Sequence, residues 1–373
     1  MKDMIGELQK KLEQLQNKPL LNKALIGFDG YIDLIQKVVK SSAKESRQYY
    51  NCLCDVGEHI SAASGKSAQL EVCTITKKLG GNAPIMANSL AHLGIENYCI
   101  GTMGYPNIQE VFLQMHKRCK LLSIGEPGIT NALEFEDGKL MLSELSSFET
   151  LDLQYILELK EAFLLDEYLK ESRLIAMVDW ANLPLCTKLW EQMREYILDA
   201  GLPDKIYFFD LCDPSKKTVS EIREVLNVIN TYKELGKVIV GLNENEAIKI
   251  YKALQGISPC DAENWTLTNE YKLEEITSFV FKAMCIDILL VHPTDRCLVA
   301  THEGVIRLNG NVVKHPKVLT GGGDNLNAGF CFGLLNSLSI EECMMLGMAT
   351  SGAYIQNGKS PSINDLISYL QNL

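Results

Sequence analysis

Short apolar runs alternate with helical patterns through most of this 373-residue chain, and that alternation limits the folds open to it. The runs are Ala24-Leu25-Ile26-Gly27-Phe28, Tyr98-Cys99-Ile100-Gly101, Leu174–Val178, Ile206–Phe209, Val238–Leu242, Ile288–Val291 and Leu298–Thr301. Helical patterns cover 84–93, 152–170, 187–199, 217–233, 244–254, 271–284, 325–337 and 340–356. Met4, Leu8, Leu12 and Leu15 predict one more amphipathic helix over 1–17, which Pro19 stops. Strands alternating with helices predict a parallel sheet covered on both faces. Ligands of such sheets bind beyond the carboxyl ends of the strands. The polar residues at those ends are Asp29, Asp179, Asp210, Asn243 and His292. Residues 34–79 are only weakly periodic and are expected to form an accessory element beside the main core.

Bulk properties remove several function classes. A hydrophobic fraction of 46% and a charged fraction of 22% fit an ordinary globular protein. The net charge of −11 argues against broad binding to nucleic acid or anionic membranes, but not against an anionic nucleotide. No stretch approaches the roughly 18 apolar residues of a membrane span. The first residues are too charged for a signal peptide, and twelve scattered cysteines fit reduced thiols, so a cytoplasmic location is expected. Only Cys52 and Cys54 lie close together, without the second pair that a zinc site needs. Ser64-Gly65-Lys66-Ser67 lacks the preceding glycine of a phosphate-binding P-loop, since Ile60 stands there. His92 falls in an apolar helix and reads as a packing residue.

Chemistry concentrates at Leu319-Thr320-Gly321-Gly322-Gly323-Asp324, ahead of a helix rich in small residues. Three glycines let backbone approach an anion, and amides at a helix start can point at it together. Asp324 can either cap the helix or take the proton of an attacking hydroxyl beside that anion hole. Gly80-Gly81-Asn82-Ala83-Pro84 opens another small-residue helix that ends at Leu93-Gly94. Gly241-Leu242-Asn243-Glu244-Asn245-Glu246 ends a strand and starts a helix. It reads either as an asparagine cap with acidic first-turn residues or as a magnesium and phosphate site.

These segments together resemble the PfkB/ribokinase family of carbohydrate kinases, over about residues 23 to 370. Its signature is a glycine-rich turn ending Gly-Asp, followed by Ala-Gly, here Ala328-Gly329. The resemblance implies an α/β, ribokinase-like fold: a mostly parallel central sheet flanked by helices, with a small β-rich lid. It implies a kinase domain over 23–373 behind an N-terminal helical segment, 1–22, with lid insertions near 34–79 and 123–146. In the second insertion, the Asp137-Gly138 turn predicts a hairpin over 134–140.

Roles carry over from the resemblance in the same way. Asp324 becomes the base and the amides of Gly321, Gly322 and Gly323 the anion hole. Asp33, with Asp29 as rival, together with Gly80, Gly81 and Asn82, would hold a sugar, nucleoside or related polyol. Asn243, Asp213, Thr320, Asn357 and Gly358 fall on the nucleotide side, with Lys216 or Lys217 near the phosphates, and Glu246 would orient magnesium. The donor implied is ATP, with ADP as the alternative, and a monovalent cation requirement stays open. Family lids pair between subunits, so a homodimer is implied. Two departures stand out. Ile85 replaces an asparagine of ribokinase, for which Asn82 or Asn88 would have to substitute. Val291-His292-Pro293-Thr294-Asp295-Arg296-Cys297 replaces a glycine-bearing strand on the adenine side. An inactive, ligand-binding relative of the family is the alternative reading.

Overall fold

Strand β1 (Lys23–Phe28) alternates its side chains between two buried faces: Leu25 enters one core, Ala24 and Ile26 the other. A strand buried on both faces must be apolar throughout, which is why such strands read as continuous runs. The computed structural model describes residues 2–17, 21–43, 46–159, 164–202, 204–259, 272–318 and 320–372.

Among these residues β1 belongs to a nine-stranded sheet. From one edge it runs β14 (Gly304–Asn309), β13 (Arg296–Thr301), β12 (Ile288–His292), β11 (Gly236–Asn243), β10 (Lys205–Asp210), β9 (Ser172–Met177), β1, β5 (Asn97–Gly101) and β6 (Cys119–Ser123). All neighbours from β12 to β6 are parallel, and β13 and β14 join antiparallel. One face carries α4 (Leu153–Glu158), α5 (Leu164–Glu171), α6 (Cys186–Asp199), α7 (Val219–Thr231), α8 (Glu244–Leu254) and α9 (Leu273–Met284). The other carries α1 (Lys2–Gln16), α3 (Asn82–His92), α10 (Gly322–Leu335), α11 (Ile340–Asn357) and α12 (Ile363–Gln371).

At Asp29-Gly30 the chain leaves this sheet and enters a second one. There β2 (Tyr31–Ala43) pairs antiparallel with β3 (Ser46–Tyr49) and β4 (Val72–Gly80), and parallel with β7 (Gly128–Glu134). The Asp137-Gly138 turn joins β7 to β8 (Lys139–Glu144), with Phe135 N–H donating to the Gly138 carbonyl at 2.9 Å. Helix α2 (Leu53–Ala62) covers part of this small sheet, with Val56 against Val38 and Leu133.

Residues 34–79, expected as an accessory element, hold most of β2, all of β3 and α2, and most of β4; β4 is exposed along most of its length, so no buried face imposes a two-residue period on it. The structure corrects two expectations. Where one helix is expected over 152–170, α4 ends at Glu158 with Leu159 extended, 160–163 lie outside the described residues, and Leu164–Glu171 form α5. Helix α10 begins at Gly322, ahead of the expected 325, because packing overrides the poor helix propensity of glycine. Met1, Pro19, residues 44–45 and 160–163, Tyr271 and Leu319, on which sequence expectations fall, lie outside the described residues.

The junction between the two sheets is fixed by Asp29. Its fully buried carboxylate accepts from the amides of Asn82 at 2.7 Å and Ala83 at 2.8 Å. Asp29 thus caps α3 from across the chain, where the N-cap itself is Gly81. Gly81 has a φ of 97°, and a Cβ there would lie 2.5 Å from Asp29 Oδ2. Replacing Asp29 with alanine strands two buried donors. We expect a loss of about 2–4 kcal/mol in urea unfolding, more than the relief from repulsion with Asp179 returns.

Candidate active site

The N-cap of α10 is Gly321, left-handed with a φ of 85°, and no side chain caps this helix. A Cβ on Gly321 would come 2.9 Å from the Tyr354 hydroxyl, which itself donates to the Thr320 carbonyl at 3.1 Å. Asp324 therefore sits at the third helical position, in the first turn, and is not a cap. The amides of Gly322, Gly323 and Asp324 precede the first intrahelical bond, and no described residue accepts from them. They form a cluster of free donors at the positive end of the helix dipole.

Four more acids surround Asp324. Burial raises its carboxyl well above the usual range, and the charges of Asp210, Asp29, Asp179 and Glu246 push it further. Asp179, left-handed at φ 62°, accepts from Tyr31 Oη at 2.6 Å and Asn182 Nδ2 at 2.7 Å. Asp210 accepts from the Cys212 amide at 2.9 Å and Asn327 Nδ2 at 2.8 Å; burial holds its carboxyl at about 6. Glu246 closes a capping box with Asn243: each receives the other's backbone amide, at 2.8 and 2.9 Å. Capping boxes are ordinarily solvated, but Glu246 is only 7% exposed. Burial, then the charge of Asp210, raises its carboxyl to about 8.

Among the described residues, no group of three or more His, Cys, Asp or Glu is arranged to cage a metal ion. The donor set nonetheless fits magnesium, which keeps most of its water and needs few protein carboxylates. Glu246 and Asp210 are hard oxygen donors whose charges a cation would relieve.

Beside the free amides lies a cavity of about 380 Å³. Gly322, Gly323, Asn243 and His292 line it next to α10. Arg296 and residues 309–313 form one wall, and Met345, Met348, Ser351 and Ile355 of α11 another. Its size suits a small-molecule ligand. His292 is partly exposed, but the protein packed around its ring lowers its imidazole to about 4, so it faces the cavity uncharged at neutral pH.

A profile of the prokaryotic ketohexokinase family matches residues 4–373. The chain belongs to that family. A curated ketohexokinase from Haloferax volcanii is 25% identical over 353 residues, covering 93% of this chain and 90% of that protein. Ribokinase from Thermotoga maritima superimposes with a TM-score of 0.64 at 14% identity, covering 94% of this chain and all of that one. Arabidopsis thaliana ribokinase, solved with ribose and ATP, gives 0.62 at 14% identity, covering 94% and 98%. The fold is that of the PfkB/ribokinase sugar kinases, and the chain is a sugar kinase, a phosphotransferase with an alcohol acceptor.

The structure sorts the sequence-derived residues of this kinase. Asp33 is partly exposed on β2, with its carboxylate over Gly80: a Cβ on Gly80 would lie 2.6 Å from Asp33 Oδ1. Asp33 and Asp324 both act electrostatically on Tyr354, so β2 of the small sheet and the first turn of α10 converge there. Asp29, the rival of Asp33, is fully buried and anchors α3 through both carboxylate oxygens. Asn88, one candidate to replace the missing asparagine, has its Oδ1 occupied by the His116 amide at 2.8 Å. Asn82 stays partly exposed.

On the other side, Asn243 lines the cavity but Asp213, Thr320, Asn357 and Gly358 do not. Asp213 caps a short 3-10 turn and pairs with Lys249 at 2.8 Å. Lys217 lies over the Trp180 ring, 4.9 Å from its centroid. Asn357 ends α11, exposed, and Gly358 is its left-handed cap. His92 is only half-buried and stacks at a tilt on His116. Sequence reading missed the Asp210–Asn327 pair and the 309–313 wall. The first joins residues 117 apart, and the second has no periodic pattern.

The raised carboxyls give a stability signature. Glu246 and Asp210 bind protons more tightly folded than unfolded, so their neutral forms favour the folded state at low pH. That contribution is lost as pH rises through about 6 and then about 8. The melting temperature of the metal-free protein should fall from about pH 5 to about pH 8.5. Glu246→Gln should flatten the upper part of that curve while keeping the cap, because its amide oxygen still accepts.

Proposed function

We propose that this sugar kinase moves a phosphoryl group from magnesium ATP to a hydroxyl of a ketohexose, with Asp324 as the base. The carrying observation is the first turn of α10. An uncapping, partly exposed carboxylate stands there beside three free amides, and Gly322 and Gly323 of the same turn line the cavity. The family and the Haloferax volcanii relative support a ketohexose acceptor. The ATP in the Arabidopsis structure belongs to that protein and supports the donor here only through the shared fold.

In this reading Asp33 accepts hydrogen bonds from sugar hydroxyls above Gly80, whose missing side chain leaves the space. Asp324 takes the proton of the attacking hydroxyl. The amides of Gly322, Gly323 and Asp324 stabilise charge on the transferred group, and they cost no reorganisation because the helix already aims them. Glu246, Asn243 and Asp210 would hold the hydrated magnesium, whose charge offsets the crowded carboxylates and the phosphates. Ile85 packs beside Gly321, 3.3 Å from its Cβ position, and offers no polar contact there. That suits an acceptor other than ribose.

The test is turnover with magnesium ATP and fructose, ribose or glucose as acceptor. Fructose should give the highest kcat/KM; a clear preference for ribose or glucose rejects the acceptor class. Asp324→Asn should lower kcat by about a thousandfold, within the range of general-base catalysis. Its melting temperature should not fall, since a repelled charge is removed. Turnover near the wild-type rate by this variant rejects the base.

We also infer lid-to-lid pairing of two copies. Strands β4 and β8 are edges of the small sheet and expose Ile75 (55%) and Leu142 (51%). Sedimentation velocity should show a dimer that Ile75→Lys with Leu142→Lys dissociates; a monomeric wild type rejects it.

A further inference from the structure

The N-terminal helix reaches the cavity. Helix α1 buries Leu8 and Leu12 completely and ties itself to the last two helices. Gln9 Nε2 donates to the Ile367 carbonyl at 3.2 Å, and Gln16 Nε2 to Asn364 Oδ1 at 2.8 Å. Lys11 Nζ meets the buried carboxylate of Glu342, near the start of α11, at 2.6 Å. Beyond those contacts Ile5 lines the cavity, as does Tyr369 of α12.

Helix α11 gives the cavity a direction. At one end Ile355 and Ser351 pack on Gly322, at 3.1 and 3.3 Å from its Cβ position, beside the free amides. Met348 and Met345 line the cavity further towards the start of α11, roughly 10 Å from Ile355 to Met348 and 15 Å to Met345 at the helical rise. That is the end where α1 docks through Lys11 and Glu342. A nucleotide whose terminal phosphate meets the amides must direct its base away from them, along α11 and towards α1.

We propose that α1 is the outer wall of the donor pocket and that Ile5 packs against the nucleotide base. The inference rests on the reading of this cavity as the nucleotide site. Apolar contact from Ile5, Met345 and Met348 suits a flat, largely apolar purine. The chain's first helix is then a determinant of donor affinity as well as a cover for the core.

The experiment uses the full chain with Ile5→Ala and Ile5→Asp. It measures KM for ATP and for fructose, inhibition by inorganic tripolyphosphate, and melting temperature. Tripolyphosphate carries the phosphates without a base. Ile5→Asp should raise the KM for ATP about tenfold, and Ile5→Ala about threefold, in line with loss of one buried aliphatic contact. The fructose KM and the tripolyphosphate inhibition constant should stay within about twofold of wild type, because neither ligand reaches α1. Equal losses for ATP and tripolyphosphate would show a general loosening and overturn the inference. So would an unchanged KM for ATP in Ile5→Ala, which decides the matter if Ile5→Asp fails to fold. Wild-type protein that binds neither ATP nor tripolyphosphate would reject the nucleotide site itself, and separates that failure from this one.

Discussion

Burial of five acidic side chains at one end of the large sheet is the constraint around which this molecule is arranged. Asp29, Asp179, Asp210, Glu246 and Asp324 come from five segments far apart in the chain, and a parallel sheet brings their ends to one side. Water is largely excluded there, so every charge is felt by the others. Each acid other than Asp324 is held by donors: Asp29 by two α3 amides, Asp179 by Tyr31 and Asn182, Asp210 by Cys212 and Asn327, Glu246 by Asn243. Asp324 alone has no hydrogen-bond donor among the described residues. An acid left unpaired amid paired ones fits proton transfer better than support.

The same arrangement explains how the two sheets cooperate. Asp29 stands where β1 gives way to β2, and its grip on α3 sets the position of Gly80-Gly81 at the end of β4. Asp33, two positions beyond Tyr31 on β2, is thereby placed over Gly80. An aspartate of the small sheet gets its position from a buried aspartate four residues earlier. Tyr31 adds a second tie, from the first lid residue to Asp179 at the end of β9.

Legibility of the sequence followed burial. The inner strands of the large sheet are apolar on both faces and could be read directly, and so could the polar residues that terminate them. The small sheet could be read only at its 134–140 hairpin, because β4 faces solvent along most of its length and carries no alternation. Asp29 stood as a rival to Asp33 because both are acids just after the first strand. What separates them is contact with Asn82 and Ala83, some fifty positions away, and no local pattern records that. The Asn243–Glu246 pair shows a further limit. The same residues form a helix cap and face a nest of acids, so the two readings of the motif are not alternatives at all.

The altered strand at 291–297 follows from the cavity. Where the resemblance leads one to expect glycines, His292, Pro293, Thr294 and Arg296 supply side chains to the cavity wall. Arg296 is fixed by Asp295 at 2.6 Å and Glu244 at 3.5 Å, so its bulk is held in place. Opposite it the wall is built by α11, which α1 and α12 brace from outside. A loop that lets backbone approach a base needs little behind it. A pocket walled by side chains on both sides depends on what holds those side chains, and on the α11 side that includes the chain's first helix, through Lys11 on Glu342.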